Sequence, residues 1–189
     1  MERPATPILR AKLIGASDDL TNAIGQALAA DGARLVDHHA ADDSGAIDIL
    51  VFVAPDRVTD PIATTKAADF ADHVGATLRA AFLALQRGVS SVRVGGRGGA
   101  VVLVAPPAGG RRAFDTVTQG LRLMAKAAAL ELGPERIRVN IVLPGSGENP
   151  LGRPCAPADV ARAVAFAASG RSRFMTGADV VVDGGALAL

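Results

Sequence analysis

The chain contains no tyrosine and no tryptophan. Any mechanism that needs a phenol as acid, base or nucleophile is therefore closed to it. Cysteine is almost missing as well: the single Cys155 cannot form an internal disulfide, and a lone thiol beside a proline-rich turn reads as inert. Neither sign of charge dominates, since 20 lysines and arginines face 19 aspartates and glutamates. That balance offers no electrostatic reason to expect nucleic acid or an anionic membrane as partner. No apolar run is long enough to cross a bilayer, and the opening Met1-Glu2-Arg3-Pro4-Ala5-Thr6-Pro7 lacks the parts of a signal peptide. The expectation is a protein of the reducing cytoplasm with no membrane partner.

What the chain does have is apolar residues in patterns. Hydrophobic residues make up 49% of its 189 positions, enough for one core. With no internal repeat and no shift in composition, residues 1–189 read as a single domain. Residues 8–14 read as a strand. From Asp18 to Ala30, the positions of Leu20, Ile24, Ala27 and Leu28 follow a helical period, ended by Asp31-Gly32. Ala33–Val36 reads as a second strand. Ile47–Val53 is apolar except for Asp48, as befits a strand buried on both faces of a parallel sheet. Then follow a helix at Lys66–Arg87, a strand at Ala100–Val104, a helix at Phe114–Leu132, a strand at Ile137–Leu143, a helix at Pro157–Ser169 with proline in its first turn, and a strand at Ala178–Val182. Val94-Gly95-Gly96-Arg97-Gly98-Gly99 reads as a flexible loop, a plain connection to the next strand rather than an anion cradle. Strands alternating with helices predict an α/β, doubly wound, Rossmann-like parallel sheet with right-handed crossovers.

Several stretches then point to one family. The first βα turn reads Gly15-Ala16-Ser17-Asp18-Asp19-Leu20-Thr21. It resembles the turn Thr-Gly-x-x-x-Gly-x-Gly with two glycines replaced. Ile47–Pro55 is similar to the strand that normally ends in Asn-Asn-Ala-Gly. Ala128-Ala129-Leu130-Glu131-Leu132, Arg136-Ile137-Arg138-Val139-Asn140 and Leu143-Pro144-Gly145 stay close to the family's usual wording, as do Gly152-Arg153-Pro154, Pro157–Ala161, Met175-Thr176-Gly177 and Val182-Asp183-Gly184-Gly185. On these grounds the chain resembles the short-chain dehydrogenase/reductase family over nearly its whole length, and most of all the 3-oxoacyl-(acyl-carrier-protein) reductase branch.

The resemblance implies where the chemistry should lie, and those positions are changed. Counted back from Glu131, the family's Tyr-x-x-x-Lys pair falls on Phe114 and Thr118. The serine ending the preceding strand falls on Pro106, and the helix asparagine on Thr77. In the family, tyrosine is the general acid/base, lysine lowers its pKa and serine holds the substrate oxygen. Phe114 keeps the ring without the hydroxyl, Thr118 carries no charge, and Pro106 has neither a hydroxyl nor an N–H to donate. Lys12, Lys66 and Lys126 do not fall at the lysine position. No catalytic residue is therefore expected.

The dinucleotide loop is vestigial at Gly15, Ser17, Asp19 and Thr21, and Val53 and Pro55 change the adjoining wall. A diphosphate normally sits on the bare N–H groups of a helix N-terminus. Aspartates there cap those groups themselves, and like charges about 4 Å apart cost on the order of 4 kcal/mol at a surface-like dielectric. No cofactor is expected. The segment between the second strand and Ile47 leaves no room for the family's extra helix and edge strand, and the short Gly145–Gly152 segment points to a missing or trimmed substrate lid.

Other chemistry has few places to go. His38 and His39, with Asp37, Asp42 and Asp43, could suggest a metal site, but adjacent loop histidines are more often solvated, and no metal is expected. His73 reads as a surface or interface residue. Arg111 and Arg112 either meet an acyl carrier's phosphate or belong to a solvated turn. The expectation is a non-catalytic family member, a structural or regulatory partner of an active short-chain dehydrogenase in a homo- or hetero-oligomer. The second reading is a divergent NAD(P)-dependent oxidoreductase acting on a 3-oxoacyl or hydroxyacyl substrate. A third is a ligand sensor or carrier using the emptied cleft.

Overall fold

The computed structural model describes residues 8–15, 18–36, 45–56, 63–107 and 116–186. Its centre is a six-stranded, wholly parallel sheet in the order β2-β1-β3-β4-β5-β6. The strands are β1 (Arg10–Ile14), β2 (Arg34–Val36), β3 (Ile49–Val53), β4 (Gly99–Val104), β5 (Ile137–Pro144) and β6 (Asp179–Val182). The helices are α1 (Asp19–Ala30), α2 (Ala67–Gly95), α3 (Thr116–Leu132) and α4 (Pro157–Ala168). This is the predicted doubly wound α/β fold.

The apolar runs explain the layering. Successive strand residues point to opposite faces. From β3 and β4, Leu50, Phe52, Val101 and Leu103 face α2 and α3, where they meet Leu85, Val89, Leu121 and Ala125. Their neighbours Val51, Val53, Val102 and Val104 face α1 and α4, against Ile24, Leu28, Val160 and Val164. All five residues of β3 are buried, so a polar residue within the run would cost free energy unless hydrogen-bonded.

Among the described residues β2 forms one edge of the sheet, and only residues 37–48 separate it from β3. That agrees with the predicted absence of an extra edge strand and helix.

Two expectations need correction. The helix expected at Lys66–Arg87 does not stop at Arg87 but runs on as α2 to Gly95, so Val94 and Gly95 are helical and Gly99 already belongs to β4. Gly88 looks like a breaker in the sequence. In the fold it is where the helix presses on the sheet: a Cβ there would lie 2.4 Å from Leu50 Cδ2. Val89 and Val92 continue the buried stripe, and Gly96, in the left-handed region at φ 65°, ends the helix with its N–H donated to the Arg93 carbonyl.

His73 is the other correction. It is buried rather than a surface residue, at 9% exposure. His73, Thr77, Ala81 and Leu85 recur every four residues along the inward face of α2.

Candidate functional site

In a parallel α/β sheet, ligands bind beyond the carboxyl ends of the strands. Here that edge carries Gly15 after β1, Ala54-Pro55 after β3 and Ala105-Pro106 after β4. Three of the vestigial-loop and wall positions meet directly. A Cβ on Gly15 would lie 2.9 Å from Val53 Cβ and 3.1 Å from Thr21 Oγ1, so loop, helix and strand end are already in contact.

The N-terminus of α1 is capped by the chain itself. The Asp18 carboxylate accepts the Thr21 N–H at 2.8 Å, from an extended backbone typical of an N-cap. One of the helix's free donors is thereby taken, and a carboxylate stands where an anion would approach. The Thr21 hydroxyl is buried and has no hydrogen-bond partner among the described residues. Asp19 is exposed at the first helical position.

The remaining positions divide by placement. Thr118 lies in the first turn of α3, 7% exposed, and Thr77 lies within α2, 3% exposed. Both helices cover the same sheet face. Pro106 is half-buried just past β4. Phe114, Ser17, His38, His39, Asp37, Asp42, Asp43, Arg111 and Arg112 lie outside the described residues. No cluster of three or more metal-binding side chains occurs among the described ones. Lys126 donates from Nζ to the Gly177 carbonyl at 3.0 Å and sits 3.3 Å from Asp179 Oδ1, tying α3 to β6.

The stretches that resemble the family most closely form a tight assembly at β5 and β6. The Gly145 N–H donates to the Val182 carbonyl at 2.8 Å, and a Cβ on Gly145 would lie 2.5 Å from Asp183 Cβ. Asn140, fully buried, donates to the Met175 carbonyl and accepts the Ala178 N–H, both at 3.0 Å. The Arg138 guanidinium reaches the carbonyls of Ala167, Ala168 and Ser169 at the end of α4; burial lowers its pKa from the ordinary arginine value. Asp179 is pushed up by burial, but its hydrogen bond from Arg122 and its ion pair with Lys126 outweigh this, and its pKa falls below the usual aspartate value. Burial, then the nearby Asp159 charge, raises the Cys155 thiol, which suits an inert cysteine.

Sequence reasoning missed the role of Asp48. Its carboxylate accepts the Arg10 N–H at 2.9 Å and pairs with Arg97 at 2.7 Å, joining β1, β3 and the turn before β4. The lone acid in an apolar run was the available signal.

Comparison with known proteins agrees with this architecture. The family described as "Enoyl-(Acyl carrier protein) reductase" matches residues 28–148 and 146–186, leaving the Gly15–Thr21 turn outside the match. A trans-4-hydroxycyclohexanecarboxylate dehydrogenase from Sinomonas cyclohexanicum is 29% identical over 75% of this chain and 61% of its own length. An L-rhamnose 1-dehydrogenase (NAD(P)(+)) from Azotobacter vinelandii is 34% identical over 59% of this chain and 54% of its own. The chain thus spans less than two thirds of either relative. A short-chain dehydrogenase/reductase family oxidoreductase from Burkholderia thailandensis superposes with a TM-score of 0.85 at 24% identity, over 97% of this chain and 94% of its own, and so shares the fold. With the family match running through most of the sheet and its helices, this chain belongs to the short-chain dehydrogenase/reductase family.

Proposed function

We propose that the chain is a non-catalytic short-chain dehydrogenase/reductase subunit that neither holds a dinucleotide nor moves a proton. The observation that carries this reading is the capped start of α1. Its Thr21 N–H is spent on the Asp18 carboxylate, and the Thr21 side chain fills the space beside Gly15 and Val53. A dinucleotide diphosphate needs bare donors and close backbone approach at that place, so the residues present do not fit the cofactor. The absence of any tyrosine supports the same reading, as do Pro106 and Thr118 at the positions the resemblance assigns to serine and lysine.

A partner role is supported by apolar side chains left in water on the two long helices. Phe82, Val94, Leu123 and Leu130 are exposed on α2 and α3, and Phe82 lines a groove between these helices with Leu85, Val89, Met124 and Ala128, an apolar surface of the kind that marks an interaction site. The proposed partner is an active family member or a second copy of this chain. Among the described residues no helix is long and apolar enough to cross a membrane. The single thiol fits a reducing compartment, for which the cytoplasm is proposed.

The alternative, a divergent NAD(P)-dependent oxidoreductase, is favoured by one observation: relatives of similar sequence carry the names of dehydrogenases, one of them with NAD(P)(+). Fluorescence titration with NADH and NADPH separates the two. The proposal expects no saturable binding up to about 1 mM; a dissociation constant near 1 μM overturns it and leaves the oxidoreductase reading standing.

A further inference from the structure

At the amino-terminal edge of the sheet, opposite the edge just described, lies a second cleft of ≈ 780 Å³, within the range of small-molecule sites. Its floor is apolar, formed by the starts of β3, β4 and β5 at Ile49, Ala100 and Ile137. Its walls carry four arginines, Arg97, Arg136, Arg138 and Arg173, against the single acid Asp48, a net of three positive charges.

Two of these arginines are already engaged. Arg97 pairs with Asp48, and Arg138 is spent on the carbonyls that end α4. Arg136 and Arg173 form no side-chain hydrogen bond or ion pair among the described residues. Beside Arg173 stands Phe174, whose ring is fully exposed.

The backbone adds an independent mark. Arg136 is the one described non-glycine residue with positive φ, at 61°. An arginine held in the left-handed region carries strain that glycine would not. Gly98, also at positive φ, packs so closely that a Cβ would lie 2.4 Å from the Arg136 carbonyl oxygen, which fixes the position of Arg136 at the cleft. Strain of this kind, beside a cavity, runs from an outlier to a functional hypothesis.

We propose that this cleft is a binding site for a small amphipathic anion, a carboxylate or phosphate monoester on an aliphatic chain, with Arg136 and Arg173 taking the head group and Phe174 and the apolar floor taking the chain. Guanidinium groups suit such head groups because they donate two parallel hydrogen bonds. The cleft is open to solvent, but its volume matches a small molecule, and its apolar floor offers an acidic protein surface nothing to bind. The site lies at the other sheet edge from the dinucleotide turn, so it stands whether or not the proposed loss of cofactor does.

The test is calorimetric titration of the full chain with decanoate and with decyl phosphate, each below its micelle concentration. Saturable one-site binding of either is expected, with decanol and inorganic phosphate weaker by about tenfold. Raising salt should weaken binding about threefold or more, as screening requires. Arg173→Ala should weaken it about fivefold. Arg136→Gly should weaken it similarly while leaving the melting temperature unchanged or higher, because glycine relieves the strained backbone; that variant separates lost binding from lost folding. The proposal is overturned if decanol binds as well as decyl phosphate, if neither anion binds up to about 1 mM, if both variants bind like the unmodified chain, or if polyglutamate binds while the small anions do not.

Discussion

Two regions of one sheet can be set side by side. Around β5 and β6, the chain packs tightly and its buried amide side chain is fully engaged. Asn140 bridges Met175 and Ala178, and Gly145 touches the Asp183 backbone with no room for a side chain. After β1, β3 and β4, the chain ends its strands in Gly15, Pro55 and Pro106, and a buried hydroxyl at Thr21 goes without a partner. The first region resembles the family's wording closely because its residues hold the scaffold shut, so each is tied to packing. The second would be tied to a ligand, and without one its residues are free to cap, fill or go idle.

If that contrast is right, substitutions should hurt in one region and be harmless or helpful in the other. The largest effect is expected at Gly145→Val. The new Cβ would lie 2.5 Å from Asp183 Cβ and 2.6 Å from its Cα, where backbone cannot step aside. A loss of about 3 kcal/mol is expected from overpacking, read from the urea midpoint; a loss below about 1 kcal/mol would mean that the β5–β6 turns are loosely held. Asn140→Ala comes next. It strips the acceptor from the Ala178 N–H and one donor from the Met175 carbonyl inside the protein, which costs about 2 kcal/mol.

Thr21→Val reverses the sign. The exchange keeps the shape and removes a buried hydroxyl without a partner, so stability should rise by about 1 kcal/mol. A loss of the same size would show that the hydroxyl has a task, and that the turn is not idle.

The same contrast explains what could be read without coordinates. The fold was legible because burial leaves a periodic signature: the unbroken run of β3 and the four-residue recurrence in α1 both survive in the structure. The continuation of the helix past Arg87 was not legible, because the place of Gly88 depends on Leu50, 38 positions earlier in the chain. His73 was misplaced for a similar reason, since its inward face is set by the stripe from Thr77 to Leu85 and not by its own polarity. In the candidate site, missing chemical groups were legible one residue at a time, because the lack of a hydroxyl or an amine needs no geometry. The Asp18 cap was legible too, because it is local. The contact of Thr21 with Gly15 and Val53 was not, because it joins three separate elements. Nor was the arginine cleft, whose walls combine Asp48, Arg97, Arg136 and Arg173, each before a different strand, with Arg138 inside β5.

The smallest expected effect concerns how a helix start is held when no ligand is involved. At α1 one aspartate does this alone, through the Asp18–Thr21 contact. At α4 the Asp159 carboxylate accepts the Ala156 N–H at 3.1 Å and is clamped by Arg153 and Arg162. The hydrogen bond from Arg153, then that from the Ala156 N–H, holds the Asp159 pKa well below the usual carboxylate range. A carboxyl group whose pKa is lower in the folded chain than in the unfolded one adds stability above the unfolded value and loses it as pH falls toward the folded value. Stability should therefore decline as pH drops below about 4, the ordinary aspartate range. Asp159→Asn keeps an oxygen to accept the Ala156 N–H but removes the charge, so urea unfolding at about pH 3 and about pH 6 should show a shallower decline than in the unmodified chain. Equal slopes would mean that the arginine clamp is solvated away, and that α4 is held at its start no more firmly than α1.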